Sequence, residues 1–275
     1  MFAPAEIAKN YVAVGKAKVK MSVGRMFLLA VLAGAFIGLG GAAAATASGA
    51  IPQASVGKLV GAVIFPGGLT MVLLAGSELF TGNSLLVIPL LMKEITPAEM
   101  LKNWGVVYTG NMAGGFLAAA GVVFSHQISL FDGQLAVSVL STAAAKCTIS
   151  FGDALIRGIL CNFLVCIAVW ISFAAKDVTG KIAGIFFPIM IFVLCGFEHS
   201  VANMYYIAAG LFAKGVPVYA RAAEAAGVDL GAITWGNFLG ANLLPVTIGN
   251  VIGGAVCVGC AYWFVYLRSA RRQEK

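Results

Sequence analysis

Three ionisable side chains are set inside long apolar stretches: Glu78 within residues 56–92, and Glu198 with His199 within residues 182–211. Such groups are costly at the depth of a lipid bilayer, so they mark ion paths and proton relays by default. An imidazole exchanges its proton near neutrality, at about pH 6.5 in water, so His199 is read as a pore residue rather than as a satisfied core histidine. For the glutamates a blander reading is favoured. A carboxylate beside a broken helix accepts hydrogen bonds from freed backbone N–H groups. Asn111 and Asn250 are likewise read as satisfying broken backbone, with the paired glycines beside them letting helices approach closely. No cluster of metal ligands, Gly-rich nucleotide loop or nucleophile–base pair accompanies them. His126 falls at the end of an apolar run, and Cys257-x-x-Cys260 lies in a hydrophobic segment without further ligands, where packing is its reading. The expectation is no enzyme, no metal and no cofactor.

The elements that must hold these residues are membrane spans. The chain is 60% hydrophobic and 11% charged, against roughly 25% charged in an average soluble domain. A helical span needs about 20 apolar residues. Residues 26–48, 56–92, 104–125, 158–175, 182–211 and 235–267 supply six. As one helix, residues 56–92 would be about 55 Å long at 1.5 Å per residue, too long for a bilayer core of about 30 Å. Gly76, Gly82 and Asn83 fall at its centre, so a broken helix is expected there, and the Gly196–His199 stretch marks another in residues 182–211. The net charge of +7 comes from basic residues at the ends of apolar runs, not from a stripe interleaved with aromatics, so membrane topology is favoured over nucleic acid. Six spans place thirteen Lys and Arg on one side and five on the other, which puts both termini in the cytoplasm. The first apolar run is too long for a signal-peptide core, so no cleavage is expected there.

The chain also repeats itself. Gly110-Asn111-Met112-Ala113-Gly114-Gly115 matches Gly249-Asn250-Val251-Ile252-Gly253-Gly254 at an offset of 139 residues. Gly76-x-Glu78 with Asn83 matches Gly196-x-Glu198 with Asn203 at an offset of 120. Three spans per half is an odd number, so the halves must be inverted in the membrane. Inverted repeats with a broken helix in each half put a substrate path near the midplane, because irregular backbone at that depth is tolerated only when buried or facing a cavity. The resulting domain plan is a cytoplasmic segment 1–25, a first repeat 26–125, a second repeat 154–267 and a cytoplasmic tail 268–275. By composition, Lys146 reads equally well as a solvated lysine of an outer connection. Lys16 reads as part of a basic amphipathic stretch on the membrane surface.

Residues 76–83 (GSELFTGN), 196–205 (GFEHSVANMY) and 242–254 (NLLPVTIGNVIGG) resemble the formate/nitrite transporter family, and the resemblance runs from about Ala5 to Leu267. It implies an all-α, aquaporin-like fold of six transmembrane helices with helices 2 and 5 broken. It also implies a homopentamer in lipid with one pore per protomer, passing formate, nitrite or hydrosulfide in the cell membrane. By motif, His199 matches the family's central histidine and Thr81 the threonine facing it. Leu79 and Phe197 match the apolar constrictions, Asn162 a pore asparagine, Lys146 a vestibule lysine, and Lys16 a lysine of the gating N-terminal segment. The loop form with Glu78 and Gly82-Asn83 is nearer to Gram-positive members, which keeps hydrosulfide as the alternative substrate. A neutral-solute or water channel is the weaker alternative, since the Asn-Pro-Ala boxes of aquaporins are absent.

Overall fold

The structure, a computed structural model, describes residues 1–268. The expected tail therefore lies outside the described residues from position 269 onward. Among the described residues every regular element is helical. The chain opens with α1, Pro4–Lys20, and Pro4 stands in its first turn, where a missing N–H costs nothing. Then come α2, Val23–Ser48, and a pair, α3, Ala54–Ile64, and α4, Pro66–Leu74, that join at Phe65. A 3₁₀ turn, Gly82–Leu86, leads into the short α5, Val87–Leu91, and Thr96 caps the long α6, Pro97–Phe124, by accepting from the Glu99 N–H. The chain continues with α7, Gln134–Cys147; α8, Phe151–Ala174; α9, Val178–Leu194; α10, Ser200–Lys214; and α11, Pro217–Ala225. It ends in α12, Leu244–Val251, and α13, Ala261–Tyr266, with π-helical turns at Asn237–Leu243 and Ile252–Cys260. Pro245 has no N–H for the carbonyl four residues earlier, which accounts for irregular winding on its N-terminal side.

Five of these stretches are long and apolar enough to cross a membrane: Val23–Ser48, Ala54–Leu74, Pro97–Phe124, Phe151–Ala174 and Asn237–Tyr266. The expected span 182–211 is split between α9 and α10, each shorter than a full crossing. Its partner 56–92 is split into Ala54–Leu74 and Gly82–Leu91. Both breaks therefore fall where the sequence places them, and both turn on glycine. Gly76 and Gly196 have φ of 78° and 69°, a region that other residues enter at a cost. Leu28, Leu32 and Leu39 on α2 and Phe187 and Ile191 on α9 lie exposed, apolar surface that lipid or a neighbouring subunit accommodates and water does not.

The two halves pack alike. A Cβ on Gly114 of α6 would collide with the Val31 carbonyl of α2, and one on Gly253 would collide with the Ile159 carbonyl of α8. These pairs correspond across the halves, so the glycine motif sets the same backbone-to-backbone approach twice. The connection between the halves was expected to be a loop around Lys146. It is α7 instead, whose buried face of Leu135, Ala136, Val139, Leu140 and Ala143 seats it against α10. Alanine and leucine at helical spacing carried that signal.

Candidate functional site, a duplicated polar scaffold around His199

Each broken helix is held by the same set of side chains. Asn111 accepts the Phe80 N–H at 2.9 Å and donates to the Ala30 and Glu78 carbonyls at 2.8 and 2.9 Å. Asn250 accepts the Ser200 N–H at 2.9 Å and donates to the Gly158 and Glu198 carbonyls at 2.8 and 2.9 Å. These asparagines take the freed backbone groups, as expected of them. The carboxylates do not. Glu78 accepts from Asn83 Nδ2 at 2.7 Å and Lys18 Nζ at 2.7 Å. Glu198 accepts from Asn203 Nδ2 at 2.6 Å, and Lys146 Nζ lies 3.0 Å from both its oxygens. A buried carboxylate is tolerable only when paired and fully hydrogen-bonded, and a lysine plus an asparagine supply what backbone amides were expected to supply. Asn83 and Asn203 are in turn anchored on Asn103 and Asn242 at 2.9 and 2.8 Å.

The structure thus adds Lys18, Asn103 and Asn242 to the residues singled out by sequence, and gives the motif asparagines Asn83 and Asn203 their partners. The signal was there to be read. Asn103 precedes Asn111 by the same eight residues that separate Asn242 from Asn250, and Lys18 and Lys146 are offset by the same 128 residues as Ala30 and Gly158. Lys146 is not a solvated lysine: its side chain is 16% exposed and also lies over the Tyr206 ring. Lys16 makes an exposed ion pair with Glu94 at 2.6 Å, whereas the Lys18–Glu78 pair is part-buried. That partner holds the Glu94 carboxyl below its ordinary range, by hydrogen bond first and charge second.

Between the two loops sits His199, which is buried. It caps α10: the Ala202 N–H donates to Nδ1 at 3.0 Å. Nδ1 therefore carries no proton, the imidazole is the Nε2–H tautomer, and Nε2–H donates to Thr81 Oγ1 at 3.0 Å. An imidazolium would set an N–H against the Ala202 N–H at the positive end of a helix, so the fold holds this ring neutral. Thr81, fully buried, passes the connection on: its carbonyl accepts from Asn162 Nδ2 at 3.1 Å, and the same amide nitrogen donates to the Asn250 carbonyl at 2.6 Å. Asn162 so ties the two halves together. The ring of Phe192 stacks on His199 with centroids 5.8 Å apart, and Phe65 meets Phe192 edge-on at 5.6 Å. Leu79 is buried in the same apolar cluster, while Phe197 is only partly buried at its edge. The aromatic ring beside the histidine is thus Phe192, which sequence reasoning did not single out.

Broken helices meeting at a buried polar pair, inside a helical body with an apolar outer surface, define a membrane pore protein. The chain belongs to the formate/nitrite transporter family: residues 5–264 match that family's profile. It is 41% identical to the Bacillus subtilis protein called uncharacterized transporter YrhG, over 99% of this chain and 96% of that one. It is 37% identical to the formate channel FocA of Escherichia coli K12, over 96% and 94%. A solved structure described as a pentameric formate channel with formate bound superposes with a TM-score of 0.78 at 32% identity, covering 90% of this chain and 98% of that one.

Proposed function

We propose that this protein is a channel for small monovalent weak-acid anions of the formate and nitrite kind. In this reading it works as a homopentamer with one pore per protomer, sits in the cell membrane with both termini cytoplasmic, and uses residues 26–125 and 154–267 as inverted halves. The observation that carries the reading is the hydrogen bond from His199 Nε2 to Thr81, set between two broken-helix loops and walled by Phe192 and Leu79. An anion collects at Lys146 on the outer side and Lys18 on the inner side. A bare anion pays heavily to enter the apolar wall, and its conjugate acid pays less. At the centre the solute exchanges hydrogen bonds with Thr81 and His199, which offset part of that cost. Leu79 and Phe197 form the two constrictions, Phe192 and Phe65 wall the histidine, Asn162 holds the Thr81 loop in place, and Lys16 with Glu94 latches α1 on the inner side.

Stopped-flow measurements on proteoliposomes test this directly. Formate and nitrite are expected to cross far faster than through protein-free vesicles, and glycerol is not. Glycerol permeation equal to that of formate would overturn the reading, and selective passage of hydrosulfide alone would move it to the alternative substrate.

A further inference from the structure

The two members of the central pair are held differently. His199 is fixed by its own helix, through the Ala202 N–H. Thr81 stands in a loop and takes its place from what packs around that loop. The residue before it, Phe80, is 4% exposed and lies between two aromatic side chains. It meets Tyr108 edge-on with ring centroids 4.9 Å apart, and Trp104 at 6.0 Å. Trp104 Nε1–H also donates to the Asn83 carbonyl, two residues after Thr81, at 2.9 Å. Tyr108 is anchored in turn, its hydroxyl hydrogen-bonded to Thr247 Oγ1 of α12 at 2.9 Å.

Tyr108 and Thr247 are counterparts in the repeat. They differ by the same 139 residues that separate Asn103 from Asn242 and Asn111 from Asn250. In a molecule of two inverted halves, a side chain meets its own counterpart only at the axis that relates them. The bond therefore joins α6 to α12 on that axis. The aromatic frame, by contrast, is one-sided: at the offsets of 120 and 139, Phe80, Trp104 and Tyr108 correspond to Ser200, Leu243 and Thr247.

We propose that Tyr108 is a positioning residue for transport: its bond to Thr247 fixes the phenol ring, the ring fixes Phe80, and Phe80 sets where the Thr81 hydroxyl meets His199 Nε2–H. Among the described residues neither hydroxyl of the axial pair bonds to His199 or Thr81, so the effect passes through the packing of Phe80. Close-packed interiors transmit small shifts, and the 3.0 Å bond from His199 to Thr81 weakens steeply if its angle closes. A polar pair between membrane helices can also serve as adhesive alone, and in that case the histidine would not sense its loss.

The role rests on the anion-channel reading, and two measurements keep them apart. ¹⁵N-histidine NMR of the pentamer in nanodiscs reports on His199 Nε2, with His126→Gln assigning the other of the two histidines. Formate flux is followed in vesicles. Tyr108→Phe keeps the ring and loses the bond, and Thr247→Val loses it from the other side. A threonine left alone in a helix can turn its hydroxyl to a carbonyl of the preceding turn, so Tyr108→Phe is expected to fold. Each variant is expected to move the Nε2 resonance toward its position in Thr81→Val, and to lower formate flux about fivefold, the equivalent of one neutral hydrogen bond. The double variant is expected to lose no more than either single one, since both remove the same bond. Thr247→Ser, which keeps a hydroxyl, is expected to restore both readouts. An Nε2 resonance unmoved in Tyr108→Phe, or flux losses that add in the double variant, overturns the positioning role and leaves the pair as adhesive. Absence of formate flux in the unaltered protein would instead overturn the channel reading.

Discussion

The two broken loops share a scaffold and differ in chemistry. Glu78 and Glu198, Asn83 and Asn203, Asn111 and Asn250, and Lys18 and Lys146 occupy matching places and make matching hydrogen bonds. At the tips of the loops the match ends. Where the first loop has Leu79, Phe80 and Thr81, the second has His199, Ser200 and Val201. Duplication explains the first set: any broken helix in lipid must satisfy the same freed groups, whatever it conducts. The second set is where the halves are free to diverge, and one half contributes the imidazole while the other contributes its hydroxyl partner. The comparison teaches that residues common to both loops build the pore, and residues peculiar to one loop work in it.

If that division holds, substitutions in the shared scaffold cost most and cost alike in both halves. Glu78→Ala and Glu198→Ala each leave a lysine unpaired in a mostly buried setting, at about 3–5 kcal/mol. Both are expected to lower the yield and melting temperature of the pentamer to a similar degree in detergent. A large loss in one half alone would break the equivalence.

Substitutions at the loop tips are expected to spare assembly and change flux. Thr81→Val, which gives the first loop the residue the second has at that place, removes the acceptor of His199 Nε2–H at about 1–3 kcal/mol. Formate flux is expected to fall about tenfold while the pentamer stays intact in gel filtration. A Thr81→Val protein that falls apart would place Thr81 in the scaffold instead.

The smallest effect belongs to Lys16 and Glu94, a solvent-exposed pair with no match in the buried scaffold. Glu94 titrates below its ordinary 4.5 in the folded protein. The pair's contribution is therefore complete above that ordinary value and is lost as pH falls through the lowered one. A spin label on α1 is expected to report the same position from neutral pH down to the ordinary carboxylate range and to loosen only below it. Lys16→Ala is expected to remove that acid transition, and loosening that persists in Lys16→Ala would mean another group latches the helix.

Much of this was legible in the sequence, for identifiable reasons. Both helix breaks could be placed because glycines and a charge interrupt runs too long for the bilayer, and the repeat could be seen because the Gly-Asn and Gly-x-Glu motifs recur in order. Chain contacts at long separation were hidden. Nothing local to Lys18 says that it reaches Glu78, sixty residues on. The carboxylates were assigned backbone partners because a broken helix does free amides, but the asparagines reach those amides first and leave the carboxylates to the lysines. Phe192 was not singled out at all, because the ring that meets the histidine is set by the turn of α9 before the break and not by a motif. An ionisable group inside an apolar run marked His199 and family resemblance supplied Thr81 and Asn162, but neither gave the tautomer, which follows only from the Ala202 amide pointing at Nδ1.

From that tautomer we propose that His199 serves as a neutral hydrogen-bond donor and carries no proton across. His199→Gln tests it, because a glutamine amide offers an N–H near the position of Nε2 but cannot titrate. Formate uptake into proteoliposomes, measured from pH 5 to 8, is expected to keep the pH dependence of the unaltered protein in His199→Gln at a reduced rate, and to be largely lost in His199→Leu. A His199→Gln channel that still conducts but has lost its pH dependence would contradict the account and make the histidine the proton carrier.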